Sequence, residues 1–194
     1  MANKLVILAG PSGVGKGTIE KILFDDKQLN LKFSVSATTR KIREGEKDGI
    51  HYYFITKEDF QKRIDNQEFI EWNEHFNNRY GTLQSEIVNI HNAGFLPFLE
   101  VETIGALNVM QYYKDRNMED SVISIFLAPP SMEELKRRIL NRGTEDIEEI
   151  YIRIAKAEQE MMEIEKFKYV VINETPEQAA KEIKEIILGA LGEN

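Results

Sequence analysis

The chain has 194 residues, of which 42% are hydrophobic and 30% charged, enough for one packed domain or one domain with a small inserted lobe. Twenty-five Lys and Arg stand against 33 Asp and Glu, a net charge of −8, which argues against general binding to nucleic acid or an anionic membrane and leaves room only for a local basic pocket. There is no cysteine, hence no disulfide, cysteine zinc site or thiol catalysis, and no stretch approaches the roughly 20 apolar residues of a membrane span, so a soluble, cytoplasmic protein is expected.

Leu5–Ala9 is apolar on both faces, as a buried parallel strand is, and this explains the short apolar run at the N-terminus better than a signal peptide does. It leads directly into Gly10-Pro11-Ser12-Gly13-Val14-Gly15-Lys16-Gly17-Thr18, which has the form G-x-x-x-x-G-K and opens a helix. Such a loop curls backbone N–H groups toward one point, adds the partial charge of a helix N-terminus, and places a lysine on the β- and γ-phosphates of a nucleoside triphosphate. Gly17 stands where many such loops have a Ser or Thr on magnesium, so either Thr18 helps or the metal is held mainly by phosphates and water. The loop specifies a triphosphate and not a reaction. The Asn-Lys-x-Asp guanine signature of GTPases is absent.

Phe33–Ser36 reads as the next strand of the core. From about Ala37 to Leu83 the alternation of strand and helix breaks, with short strands at Tyr52–Ile55 and Phe69–Trp72 around a helix from Lys57 to Asn66, which predicts a small antiparallel lobe inserted in the core. Arg40 and Arg43, three apart, with the hydroxyls of Tyr52 and Tyr80, suit a dianionic phosphate, the alternative being an ordinary basic surface turn. Glu71 sits in an apolar run beside Trp72, where a carboxylate is costly unless something pairs with it.

Phe95–Val101 forms a further strand, and the spacing of Glu100 and Glu102 puts both on one face near the carboxyl ends of the sheet, where ligands bind in such folds and where acids are also often merely solvated. Val122–Ala128 follows, then a helix opened by a capping box of Ser131 and Glu134. Arg138 and Arg142 are four apart on that helix before Gly143 breaks it, and Ile147 to Ile164 has helical periodicity, with Arg153 upon it. Tyr169–Asn173 is the last strand, and Thr175, Pro176 and Gln178 start the last helix. The pattern predicts an α/β fold with a five-stranded parallel sheet covered by helices on both faces. His51, His75 and His91 lack ligand spacing, and Met161-Met162 reads as packing.

The run Phe33-Ser34-Val35-Ser36-Ala37-Thr38-Thr39-Arg40 through Tyr52-Tyr53-Phe54, followed by Glu68-Phe69-Ile70-Glu71-Trp72 and Arg79-Tyr80-Gly81-Thr82, resembles the signature of guanylate kinases, and the resemblance extends from about Leu5 to the last helix. It implies phosphorylation of GMP or dGMP by ATP, with Mg2+ entering as MgATP. It implies a P-loop kinase core (1–36, 84–128 and 166–194), a GMP-binding lobe (37–83) and a helical lid (about 129–165). By this resemblance Gly10 to Thr18 hold ATP, Asn173 contacts its adenine, and Lys16, Arg138, Arg142 and Arg153 surround the transferring phosphoryl group, with Arg142 also on ATP. Arg40, Arg43, Tyr52 and Tyr80 would hold the GMP phosphate, Glu71 and Thr82 the donor edge of guanine, and Ser36 its O6. Glu102 would lie near GMP and Glu100 near the metal through water, although both positions are commonly Asp in the family. Two other readings stay open: a guanylate-kinase-like module that binds phosphopeptides, and a kinase for another small phosphate ester. The sequence leaves monomer and homodimer equally open.

Overall fold

A strand that is apolar on both faces must be covered on both sides, and β1 (Leu5–Ala9) is buried along its whole length. The computed structural model describes residues 4–75, 77–140 and 147–192. β1 is the middle of five parallel strands in the order β2 (Leu31–Phe33), β7 (Leu96–Glu100), β1, β8 (Val122–Ala128), β9 (Tyr169–Ile172). Side chains alternate along β1. Val6 and Leu8 pack under α1 (Lys16–Asp25), α5 (Met132–Leu140) and α7 (Pro176–Leu191), through Ile19, Leu23, Leu135, Ile183 and Ile187. Leu5, Ile7 and Ala9 face α3 (Gln84–Asn92) and α4 (Thr103–Lys114), through Ile87, Ala106 and Val109. Strands β7 and β8 lie on opposite sides of β1, so the sheet order reverses there. The crevice at the carboxyl end of β1 is where such sheets place ligands.

The second strand ends earlier than the sequence suggests. Its ladder covers Leu31 to Phe33 instead of Phe33 to Ser36, and the Ser34 amide adds one more bond, 2.9 Å to the Phe98 carbonyl. Phe33 stacks on Phe24 at 3.9 Å, which fixes the strand at that point.

A second sheet has the order β4 (Tyr53–Phe54), β3 (Ala37–Thr38), β6 (Asn78–Leu83), β5 (Phe69–His75), with α2 (Lys57–Asp65) beside it. It is mixed, and not antiparallel as expected. Strands β5–β6 and β3–β6 are antiparallel, whereas β3 and β4 run parallel. The physical reason is the connection from Thr39 to Tyr52, which is long enough for the crossover of roughly a dozen residues that parallel pairing requires. Phe60, Phe69, Leu83 and Ala37 form this sheet's own small core, with the Phe60 and Phe69 rings stacked at 4.4 Å. A bulge between Phe69 and Glu71 re-aims successive side chains of β5: Phe69 enters the small core while Ile70 joins the main one, beside Leu99 and Phe126. The two sheets are thereby fastened along one strand.

The helices toward the C-terminus start as their caps dictate. The Glu134 amide donates to Ser131 Oγ at 3.1 Å, and the Gln178 amide to Thr175 Oγ1 at 3.3 Å. The Glu134 carboxylate accepts from Arg137 and Arg138 at 2.8 Å, charge-assisted bonds stronger than one to the cap amide. Helix α6 (Ile147–Met161) is tied to α5 by Lys136 and Glu158, 2.8 Å apart. Met161 packs on the main core. Met162 is 77% exposed, so the expectation of packing fails for it.

Phe60 is fully buried and carries the small core. Phe60→Ala should cost about 3–5 kcal/mol locally, read as a lowered denaturant midpoint.

Candidate active site

The loop after β1 is shaped by two close approaches. Gly10 has φ +148°, and a Cβ there would stand 2.3 Å from the Leu127 carbonyl of the neighbouring strand. Gly15, at φ +105°, precedes α1, and a Cβ would stand 2.6 Å from Asn173 Nδ2. Both positions therefore require glycine. Asn173, at the end of β9, donates from Nδ2 to the Val14 carbonyl at 2.7 Å, and Arg138 donates to the same carbonyl at 3.3 Å and to that of Asn173 at 3.4 Å. The loop is thus braced from β9 and α5. Lys16 is folded over it, with Nζ donating to the Gly10 carbonyl at 2.7 Å. A lysine in this position lies across the mouth of an anion cradle.

Beyond the carboxyl ends of β7 and β1, between the two sheets, lies a cleft of about 290 Å³ whose walls include Ser36, Tyr52, Glu71, Tyr80, Glu100 and Glu102. Glu71 is 8% exposed, and its Oε1 accepts from Thr82 Oγ1 at 2.8 Å. Burial pushes its carboxyl up to about 7 against the opposing effect of the Thr82 hydrogen bonds. Gly105 on α4 has its Cβ direction 3.5 Å from Glu71 Oε2, so the helix approaches the carboxylate closely. Trp72, the next residue, points to the other side of β5, against Phe60 and under Arg79.

Arg40, Tyr52 and Tyr80 meet at one end of this cleft. The Arg40 guanidinium lies 5.4 Å from the Tyr52 ring centre, and the two tyrosine rings are 6.0 Å apart. Glu46 holds Arg40 by two hydrogen bonds of 3.0 and 2.7 Å, raising the guanidinium's pKa and pulling its own carboxyl down to about 2. Arg43 shares the turn through its amide, which donates to Glu46, while its side chain is exposed. Burial raises the Tyr52 hydroxyl's pKa. The group is a cationic and phenolic corner suited to an anion, with a carboxylate bound in it.

Acidic groups gather between the loop and the cleft. Glu100 ends β7. Glu102 is the residue before α4 and pairs with Lys156 of α6 at 2.7 Å. Glu20, one turn beyond Lys16, is buried against Glu100. Burial, then the charge of Glu100, push its carboxyl up to about 7 while Lys16 pulls it down. Glu160 of α6 is also buried and raised by burial, with Lys156 and Lys16 opposing. Arg153 lies on α6, partly buried, and Arg142 falls outside the described residues. Among the described residues no three acidic or histidine side chains converge as a metal site, and His51 and His91 serve backbone contacts, with Lys47 N–H and the Lys4 carbonyl.

Asn73, Gly105, Glu20 and Glu86 join the site in addition to the residues expected from the sequence. Asn73 follows Glu71 by two along β5, so strand alternation alone brings it to the cleft. Glu86 is buried on α3 and accepts from the Val35 amide at 3.2 Å and the Tyr53 hydroxyl at 2.9 Å, fastening the segment on which Ser36 sits. Nothing local in the sequence marks it. Gly105 and Glu20 acquire meaning only from neighbours far along the chain.

The Guanylate kinase family model matches residues 2–190. Guanylate kinase of Mycoplasmopsis pulmonis (strain UAB CTIP) is 58% identical over 184 residues, 95% of this chain and 93% of that protein. Guanylate kinase of Mycoplasma mobile (strain ATCC 43663 / 163K / NCTC 11711) is 52% identical over 184 residues, 95% and 92% of the two chains. The crystal structure of guanylate kinase from Anaplasma phagocytophilum superposes with a TM-score of 0.70 at 34% identity, covering 96% of this chain and 85% of that one. With a glycine-rich loop at the end of β1, a cleft beside it lined by the buried Glu71, and relatives matching along nearly the whole chain, the protein belongs to the guanylate kinase family.

Proposed function

We propose that this chain phosphorylates GMP, and dGMP, to the diphosphate with ATP, as a soluble enzyme of the cytoplasm acting on free nucleotides without nucleic acid or membrane. No helix among the described residues is long and apolar enough to cross a membrane. The observation that carries the reading is the buried Glu71–Thr82 pair in a cleft adjoining the phosphate loop. Guanine presents N1–H and N2–H2 side by side, two donors that one carboxylate can take, and adenine presents the opposite pattern. The division into core (1–36, 84–128 and 166–194), GMP-binding lobe (37–83) and lid (about 129–165) belongs to the same proposal.

In this reading the segment Gly10, Pro11, Ser12, Gly13, Val14, Gly15, Gly17 and Thr18 holds the triphosphate, its backbone N–H groups donating to phosphate and Pro11, which has none, shaping the turn. Lys16 leaves the Gly10 carbonyl for the β- and γ-phosphates. Arg40, Arg43, Tyr52 and Tyr80 hold the GMP phosphate, which replaces or shares Glu46 on Arg40. Ser36 meets guanine O6, and Glu102 faces the nucleoside. A GMP phosphate oxygen attacks the γ-phosphorus in line, and the bond to the β–γ bridging oxygen breaks, releasing ADP. The attacking oxygen is already anionic, so no side-chain base is required. Arg138, Arg142 and Arg153 offset the charge spreading on the equatorial oxygens. Asn173 would contact the adenine, and since its Nδ2 donates to the Val14 carbonyl, Oδ1 is the atom left for that role. Residues present suit Mg2+ arriving as MgATP, because Glu100 offers a carboxylate at the strand end and Glu20 beside it has a buried oxygen without a hydrogen-bond partner. When bound, the ion neutralises phosphate charge.

The intact loop favours catalysis over a phosphopeptide module, and Glu71 favours guanine over another phosphate ester. ADP release with GMP, dGMP, AMP, CMP and UMP tests this directly. Turnover should be confined to the two guanine nucleotides, and equal turnover of AMP would refute the base assignment. Lys16→Ala should remove most turnover while leaving GMP binding in calorimetry nearly intact. Glu71→Gln keeps one acceptor but turns an NH2 on the other guanine donor, at a cost on the order of 2–4 kcal/mol, roughly 30- to 1000-fold in kcat/KM for GMP. Its reaction with AMP should fall far less, so the ratio of the two shrinks.

A pH dependence follows from the same residue. Guanine binds the charged carboxylate, whereas the free enzyme holds Glu71 half protonated near pH 7. GMP binding therefore expels a proton, and affinity should climb as pH rises through about 7 and then level off. In Glu71→Gln the part of that slope centred near pH 7 should vanish from the calorimetric titrations, leaving only the part set by the GMP phosphate, whose second pKa is about 6.

A further inference from the structure

Gly17 leaves the usual magnesium position of the loop without a hydroxyl, Thr18 being the nearest one, and a Cβ at position 17 would meet nothing within 4 Å. One turn further along α1 the chain carries a carboxylate instead. Glu20 is only 6% exposed, and its Oε1 has no hydrogen-bond partner. A buried carboxylate oxygen in that condition forfeits its hydration with no donor to replace it. Its surroundings sharpen the cost: its carboxyl lies within hydrogen-bonding reach of that of Glu100, a wall of the acceptor cleft. Two carboxyls so close cannot both be charged unless a cation or a proton lies between them. Lys16 is near enough to act on Glu20, but its ammonium group is bonded to the Gly10 carbonyl and is needed by the triphosphate. Of the other two acids with a bare buried oxygen among the described residues, Glu160 already has Thr103 as donor at 3.3 Å and Glu163 pairs with Lys166.

We propose that Glu20 and Glu100 together seat the hydrated magnesium ion of MgATP, Glu20 supplying the anchorage that a hydroxyl at position 17 supplies in other phosphate loops. This rests on the reading of the chain as an ATP-dependent kinase. Magnesium gives up its waters reluctantly and is commonly held by one or two carboxylates together with substrate phosphates. Its waters are donors, which is what the bare oxygen of Glu20 lacks. The pair also stands in the right place, because Glu20 rises from the helix of the donor loop and Glu100 from the wall of the acceptor cleft. The ion would thus be shared between the elements that hold the two substrates.

The test uses Mn2+ as the probe, titrated into protein saturated with ADP and followed by water-proton relaxation. Glu20→Gln preserves shape and removes the charge. It should weaken Mn2+ binding about ten-fold, the scale of outer-shell partners of a metal. The Mg2+ concentration for half-maximal turnover should rise by a similar factor, with GMP affinity unchanged. The melting temperature should hold or increase, since an uncompensated buried charge is removed. Adding Gly17→Ser to that variant should restore Mn2+ affinity, because the space for a side chain is open. Unaltered Mn2+ affinity in Glu20→Gln would overturn the proposal. So would a loss accompanied by a lowered melting temperature and not rescued by Gly17→Ser, which would make Glu20 a support for α1. Because the relaxation measurement needs no turnover, failure of GMP phosphorylation in the unsubstituted protein would be seen separately.

Discussion

The contact between Gly10 and the Leu127 carbonyl is the constraint on which the site depends. No side chain fits at that point, where a Cβ would be 2.3 Å from backbone oxygen. Strand β1 is buried on both faces and flanked by β7 and β8, so its carboxyl end emerges at the reversal of sheet order with neighbours on either side. The chain can leave only by a tight turn that presents its amides outward, and the helix following it adds its own dipole to the same point. Asn173 and Arg138 then fix Val14 from two other elements, so an anion cradle stands ready before any ligand arrives.

The acceptor side obeys a different economy. A carboxylate buried between two sheets is unfavourable in the empty protein, and the Thr82 hydroxyl only partly offsets this for Glu71. The bulge in β5 makes the arrangement mechanically secure, since Phe69 and Ile70 anchor the strand in two different cores on either side of the sheet while Glu71 faces the cleft. In the function proposed above, a base with two adjacent donors would relieve that penalty, so the cost of burying Glu71 would return as selectivity. Arg40 follows the same logic with opposite charge. Glu46 is paired with it in the structure, at the place the proposed function gives to the GMP phosphate.

Between these two halves sits a concentration of acids, Glu20, Glu100, Glu102 and Glu160, that a net charge of −8 does not predict in any particular place. Lys156 neutralises Glu102 from α6, coupling the helix beyond α5 to the cleft wall. Both signs are thus already arranged in close pairs, and under the proposed function each pair would be exchanged for a contact with nucleotide or metal. Such exchange keeps the cost of reorganisation small.

Local rules were enough for much of this in the sequence. The apolar run Leu5–Ala9, the spacing of Gly10, Gly15 and Lys16, the Thr175-Pro176 start of α7 and the break in alternation after Ala37 each depend on neighbours within a few residues, and so they were legible. Glu71 could be suspected because a charge in an apolar run needs a partner, but not its partner's distance. The parallel pairing of β3 with β4, the bulge at Phe69, the brace from Asn173 to Val14, and the meeting of Glu20 with Glu100 lay beyond such reading. Each joins residues far apart in the chain. Their energies come from burial and close approach, which only the packed tertiary structure decides.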